Sequence, residues 1–167
     1  MEGTTLAIRH IIKEGDPILR QVSRRVDAVT PRIIALLNDM KDTLHKANGC
    51  GLAAVQVGVL RRIVLVETEN GTLYEMINPE IIAAEGEQQE LEGCLSVPDV
   101  WGITDRPEKV TVRYMNRNGK ICEATGTGLT ARAFCHELDH LEGKLFTDHA
   151  IRILSDEELA KYTANRD

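Results

Sequence analysis

The segment that leaves this chain least freedom is Cys135-His136-Glu137-Leu138-Asp139-His140-Leu141-Glu142-Gly143, because it carries the pattern H-E-x-x-H. On a helix of 3.6 residues per turn, positions i and i+4 share a face. His136 and His140 can therefore offer ring nitrogens to one metal ion while Glu137 projects beside them. A divalent ion so held lowers the pKa of a bound water to about 7, and an adjacent carboxylate can take the proton that water loses. The chemistry expected of such a helix is hydrolysis. Its fold has to bring a third ligand from elsewhere in the chain to the histidine face.

The rest of the chain bounds where that ligand can come from. At 167 residues with 43% apolar side chains, residues 1–167 are expected to form a single domain with its own core. Acidic residues outnumber basic ones 26 to 20, giving a net charge of −6 without any Lys/Arg block, so no direct nucleic-acid binding is expected. Aromatics are 4%, too few for base stacking. No apolar run is long enough for a membrane span. The opening Met1-Glu2-Gly3-Thr4-Thr5 has neither a basic region before an apolar run nor an Arg/Ser-rich leader, which points to the cytoplasm. In that reducing compartment Cys50, Cys94, Cys122 and Cys135 are expected as free thiols, with Cys122 a small buried hydrophobe in a strand.

Local signals predict an α+β chain: antiparallel β-hairpins packed around a central helix that carries the metal motif. Asp16-Pro17 opens a short helix, and Thr30-Pro31 opens a longer one with apolar residues Ile33, Ile34, Leu37, Met40 and Leu44 on one face, stopping at Asn48-Gly49. Strands 62–66 and 73–77 flank Asn70-Gly71, and strands 109–114 and 120–124 flank Asn118-Gly119, predicting two tight hairpins. The motif helix runs from Leu129 to Leu141 and ends at Gly143. Ser155 and Glu158 form a capping box for a last helix to about Ala164. The polar run 85–90 reads as a solvated connection.

His136-Glu137-x-x-His140-x-x-Gly143 follows the start of the long metzincin pattern, but Phe146 stands where its third histidine belongs, so that reading is rejected. Glu157 and Glu158 are better explained as acidic residues in a helix first turn. Cys94 is the stronger candidate, since a thiolate binds zinc or ferrous iron well and Glu92-Gly93-Cys94-Leu95-Ser96 reads as a glycine-containing turn. Gly49-Cys50-Gly51-Leu52-Ala53-Ala54-Val55-Gln56, Glu92-Gly93-Cys94-Leu95-Ser96 and His136-Glu137-Leu138-Asp139-His140-Leu141-Glu142-Gly143 together resemble, in order, the three motifs of the peptide deformylase family.

That resemblance implies removal of the formyl group from N-formylmethionyl nascent peptides at the ribosome, with release of formate. It implies one ferrous ion per chain on Cys94, His136 and His140, replaceable by zinc, nickel or cobalt. Glu137 becomes the proton carrier, and Gln56 and the backbone N–H of Leu95 become donors to the formyl oxygen. Gly51 lets the substrate backbone approach, while Cys50, Leu129 and Ala133 receive the methionine side chain. Asp139 is an anchor behind the ligands, paired with Arg106. Arg132 and Cys135 depart from residues common in the family. Adjacent side chains on a helix diverge by about 100°, so Cys135 is not expected to share an ion with His136. Two other readings keep the ligands: hydrolysis of a different small N-acyl amide, and a Cys-His-His zinc domain without activity.

Overall fold

The computed structural model describes residues 7–165. Helix α1 (Pro31–Ala47) starts where expected: Thr30 accepts from the Ile33 N–H, proline occupies the first turn, and Asn48 closes the helix in the left-handed region at φ 54°. Asp16 caps a single 3-10 turn, Pro17–Arg20, by accepting from the Ile18 N–H at 3.1 Å. α2 (Gly128–Leu141) carries the metal motif. It stops before Gly143, whose φ of 70° suits glycine and whose missing side chain makes room for the Arg20 carbonyl. α3 (Asp156–Ala164) has the expected reciprocal cap, with Glu158 N–H donating to Ser155 Oγ at 3.1 Å and Ser155 N–H donating to Glu158 Oε1 at 3.2 Å.

Five antiparallel strands, β1 (Gly51–Ala53), β2 (Ile63–Glu67), β3 (Leu73–Glu85), β6 (Lys109–Met115) and β7 (Ile121–Thr127), form one sheet in the order β1-β2-β3-β6-β7. A second sheet has the order β4-β5-β8, from β4 (Gln88–Cys94), β5 (Val97–Arg106) and β8 (Arg152–Ile153). Strand alternation explains why β2 is apolar from Ile63 to Val66. Ile63 and Leu65 pack with Leu36, Leu37, Met40 and Leu44 of α1, whereas Val64 and Val66 pack with Ala131, Phe134 and Leu141 of α2. The sheet is thus covered on both faces at this end, and α2 lies between it and the second sheet, against β1, β2, β5, β6 and β7. Phe134 is fully buried and meets Tyr74 edge-on at 5.6 Å between ring centroids; its truncation to alanine is worth about 3–5 kcal/mol.

Three local expectations need correction. Both Asn-Gly hairpins form, but Asn70 and Asn118 do not have positive φ; only Gly71 (88°) and Gly119 (78°) do. A two-residue type I′ turn requires positive φ at both central positions, so the chain instead uses the longer connections 68–72 and 116–120. The polar run 85–90 is not a solvated connection, because β3 extends to Glu85 and β4 starts at Gln88, with Gly86 and Glu87 forming the turn. Glu85, Gly86, Glu87 and Gln89 are exposed, whereas Gln88 and, further along β4, Glu92 are buried and polar because they enter a polar network rather than oil. Cys122 lies in β7 but is half-buried, near Asn116 Nδ2 at 3.5 Å. Among the described residues no helix is long and apolar enough to cross a membrane.

Candidate metal centre and active site

One turn apart on α2, the rings of His136 and His140 face each other at 5.0 Å between centroids and 71° between planes. The β4–β5 hairpin slips register between Glu92 and Cys94, and this irregularity delivers the Cys94 side chain to the histidine face. Among the described residues, Cys94, His136 and His140 are the group of three whose ligand atoms converge, all within 4.8 Å of one another. Cys94 Sγ lies 3.5 Å from His140 Nε2. Bonds of about 2.3 Å to sulfur and 2.0–2.1 Å to nitrogen at a tetrahedral angle put the two atoms about 3.6 Å apart, so the donors fit one ion. Cys135 is buried in the apolar cluster instead, where burial pushes its thiol up to about 11. Phe146, at the metzincin ligand position, stacks on His136 at 6.1 Å and is buried with Val97 and Leu145.

The second layer of contacts is where the sequence reading was incomplete. His136 presents Nε2 to the site because Nδ1 bonds Glu92 Oε2 at 2.7 Å, the arrangement that orients a ligand histidine. The same carboxylate accepts from Thr104 Oγ1 at 2.9 Å and from Arg106 Nε and Nη2 at 3.1 and 2.7 Å. Burial would raise Glu92, but the bonds from His136 and Arg106 win and hold it near 2. Arg106 also donates to Asp139 Oδ2 at 2.7 Å, as expected; its principal partner, however, is Glu92. Glu92 went unassigned although it sits two residues before Cys94. The need of a metal-bound histidine for a carboxylate partner was the signal that could have found it.

Charge in the centre favours a cation. Burial alone would lower His136, yet Glu137, Cys94 and Glu92 raise it well above its usual range; burial and the neighbouring His136 hold His140 well below. A metal ion can replace the proton on His136 and take the lone pair of a neutral His140. His140 Nδ1 is buried without a protein partner.

Glu137 is 3% exposed, with Oε2 at 3.9 Å from His136 Nε2 and Oε1 lacking any protein partner; burial lifts its carboxyl to about 7. Gly51 faces it. A methyl group on Gly51 would fall onto the Glu137 carboxylate, so the glycine makes room for this residue, a closer reason for its identity than substrate approach. Gln56 lies in a buried 3-10 turn after β1, 1% exposed. Its Oε1 accepts from the Ala53 N–H at 2.9 Å, which fixes the amide orientation. Nε2 then donates to Ser96 Oγ at 3.0 Å and faces Cys94 Sγ at 3.8 Å. The N-terminal segment ties these two turns together, with Ile12 N–H donating to the Gln56 carbonyl and Glu14 N–H to the Ser96 carbonyl.

These groups open onto one cavity of about 440 Å³. Cys50, Gly51, Gln56, Leu95, Leu129 and Ala133 line it together with Cys94, His136 and Glu137. Sequence reasoning therefore named nine of the twenty residues of the wall, while Asp139 and Arg106 stand outside it, behind the candidate ligands. It missed Trp101, which covers Gly93 so closely that a side chain there would strike its ring.

A family model described as polypeptide deformylase matches residues 8–155. The peptide deformylase of Caldanaerobacter subterraneus subsp. tengcongensis is 53% identical over 154 residues, covering 92% of this chain and 96% of that protein. That of Acetivibrio thermocellus is 49% identical, covering 96% and 94%. Among solved structures, a peptide deformylase from Legionella pneumophila superposes with a TM-score of 0.83 at 38% identity, covering 96% of this chain and 98% of that one. The Thermotoga maritima enzyme gives 0.82 at 34% identity, covering 86% and 97%.

Proposed function

The chain belongs to the polypeptide deformylase family, and we propose that Cys94, His136 and His140 hold the metal with which it removes the formyl group from N-formylmethionyl peptides. It is a metal-dependent hydrolase acting on formylated nascent chains, releasing formate and a free amino terminus. The observation that carries the assignment is the convergence of these three donors beside a buried carboxylate at the end of one cavity.

A divalent ion bound there supplies Lewis acidity and lowers the pKa of water. The chain's own residues do the rest. Glu137, with one oxygen free of protein partners, takes a proton from the attacking water as oxygen adds to the formyl carbon. As the C–N bond breaks, it returns that proton to the departing nitrogen, giving a neutral amine and formic acid, whose remaining proton passes to the amine to leave formate and an ammonium terminus. The Gln56 amide, oriented by Ala53 and Ser96, directs N–H toward the formyl oxygen, joined by the backbone N–H of Leu95. Cys50, Leu129 and Ala133 receive the methionine side chain. The sulfur and two imidazoles suit ferrous iron, with zinc, nickel or cobalt as substitutes, one ion per chain. The enzyme works on chains still at the ribosome.

Protein loaded anaerobically with iron or nickel should release formate from formyl-Met peptides, with metal content measured on the same sample. Glu137→Ala should keep its metal and lose about 100- to 10,000-fold in turnover. Formate no higher from the parent protein than from Glu137→Ala would defeat this reading.

A further inference from the structure

Two charged residues on the wall of the cavity, Asp99 and Arg132, have no part in the reaction described above; Asp99 is exposed to solvent, whereas Arg132 is held in place. Arg132 lies one helical turn before His136, on the same side of α2 as Leu129, and lines the substrate cavity. Its Nη1 donates to Gln88 Oε1 at 2.7 Å. Gln88 is itself nearly buried, and its amide nitrogen is committed to the carbonyls of Pro107 and Gly128, both at 2.9 Å. The orientation of the Gln88 amide is therefore fixed, and it holds the guanidinium in place without neutralising it. Among the described residues no carboxylate forms an ion pair with Arg132, and its Nε is buried with no hydrogen-bond partner. An arginine present only for its aliphatic stem would send its head into water. This one is tethered by a neutral amide with its charge uncompensated.

We propose that Arg132 is a specificity-determining residue that favours formylmethionyl peptides whose second residue is Asp or Glu. The inference rests on the deformylase reading and adds a substrate class to it. With the formyl group at His136, the Cβ of Arg132 stands about 6 Å along the helix, while successive Cα atoms of an extended peptide are about 3.8 Å apart. Arg132 is thus level with the first two residues of the substrate. The first is always methionine, so the chemistry a charged wall can select falls on the second. The net charge of −6 would otherwise repel an acidic peptide.

The test compares kcat/KM for formyl-Met-Glu, formyl-Met-Ala and formyl-Met-Lys peptides, all amidated at the C-terminus, in the parent protein and in Arg132→Met. Reading ratios within each protein separates selectivity from any general loss of activity. The parent should prefer Glu over Lys by about 5-fold at 20 mM salt, chiefly through KM, and the preference should shrink at 300 mM. In Arg132→Met the ratio should fall to one or invert toward Lys. An equal Glu/Lys ratio in both proteins, or a parent preference insensitive to salt, would overturn the role of Arg132 while leaving the deformylase reading intact. Absence of turnover of all three peptides by metal-loaded parent protein would overturn both.

Discussion

Glu92→Gln isolates the group that orients the metal site. In the parent the Glu92 carboxylate, 7% exposed, takes four hydrogen bonds: one from Thr104, two from Arg106 and one from His136. A neutral amide has one acceptor oxygen and must turn its NH2 toward other donors, so Arg106, 6% exposed, loses its main counter-charge and keeps only Asp139. Removing one partner of a buried pair costs about 3–5 kcal/mol, and with Asp139 retained the lower end applies. For a chain of this length about 3 kcal/mol lowers Tm by roughly 6–12 °C. The metal responds separately. With Nδ1 of His136 unanchored, affinity should fall about 10- to 100-fold. Melting of metal-free protein reads the first effect, and competition with a chromophoric chelator reads the second. Glu92→Leu with Arg106→Met should recover stability, because apolar residues replace a buried ion pair at little or no cost, yet metal binding should stay weak. Metal affinity of Glu92→Gln within two-fold of the parent would refute the argument that Glu92 orients His136.

Other outcomes follow from the same geometry. Gly51→Ala has no positive φ to violate, so its urea midpoint should hold while turnover drops about 100-fold as Glu137 is pushed aside; equal loss of stability and activity would contradict this. Gln56→Leu removes one donor to the formyl oxygen and should lower kcat about 100- to 1,000-fold with metal retained, whereas a loss below 10-fold would remove Gln56 from that role. Arg20 holds the Asp148 carboxyl below its usual range through a 2.5 Å bond between partly exposed groups. A depressed folded-state pKa stabilises above the unfolded value near 4 and is lost as pH falls through the lowered one. Asp148→Asn should thus cost up to about 1 kcal/mol at pH 7 and progressively less below pH 4; a gap that persists at pH 2 would mean the pair contributes nothing.

What the sequence determined by itself is local. Capping and periodicity place α1, α2 and α3 nearly to the residue, since each signal acts within one helical turn. The i, i+4 histidines and a cysteine in a glycine-containing turn suffice to name three candidate ligands, because residue chemistry restricts which side chains can bind a metal. Tertiary structure decided the rest. Glu92 and His136 are 44 positions apart, as Gln56 and Ser96 are 40, and no local rule links such pairs until the β4–β5 hairpin is laid beside α2. Gln88 and Glu92 are polar because of the inward network they join, and Gly51 is glycine because of the Glu137 carboxylate. Both reasons lie across space rather than along the chain, where only packing brings together the groups whose charge and volume must match.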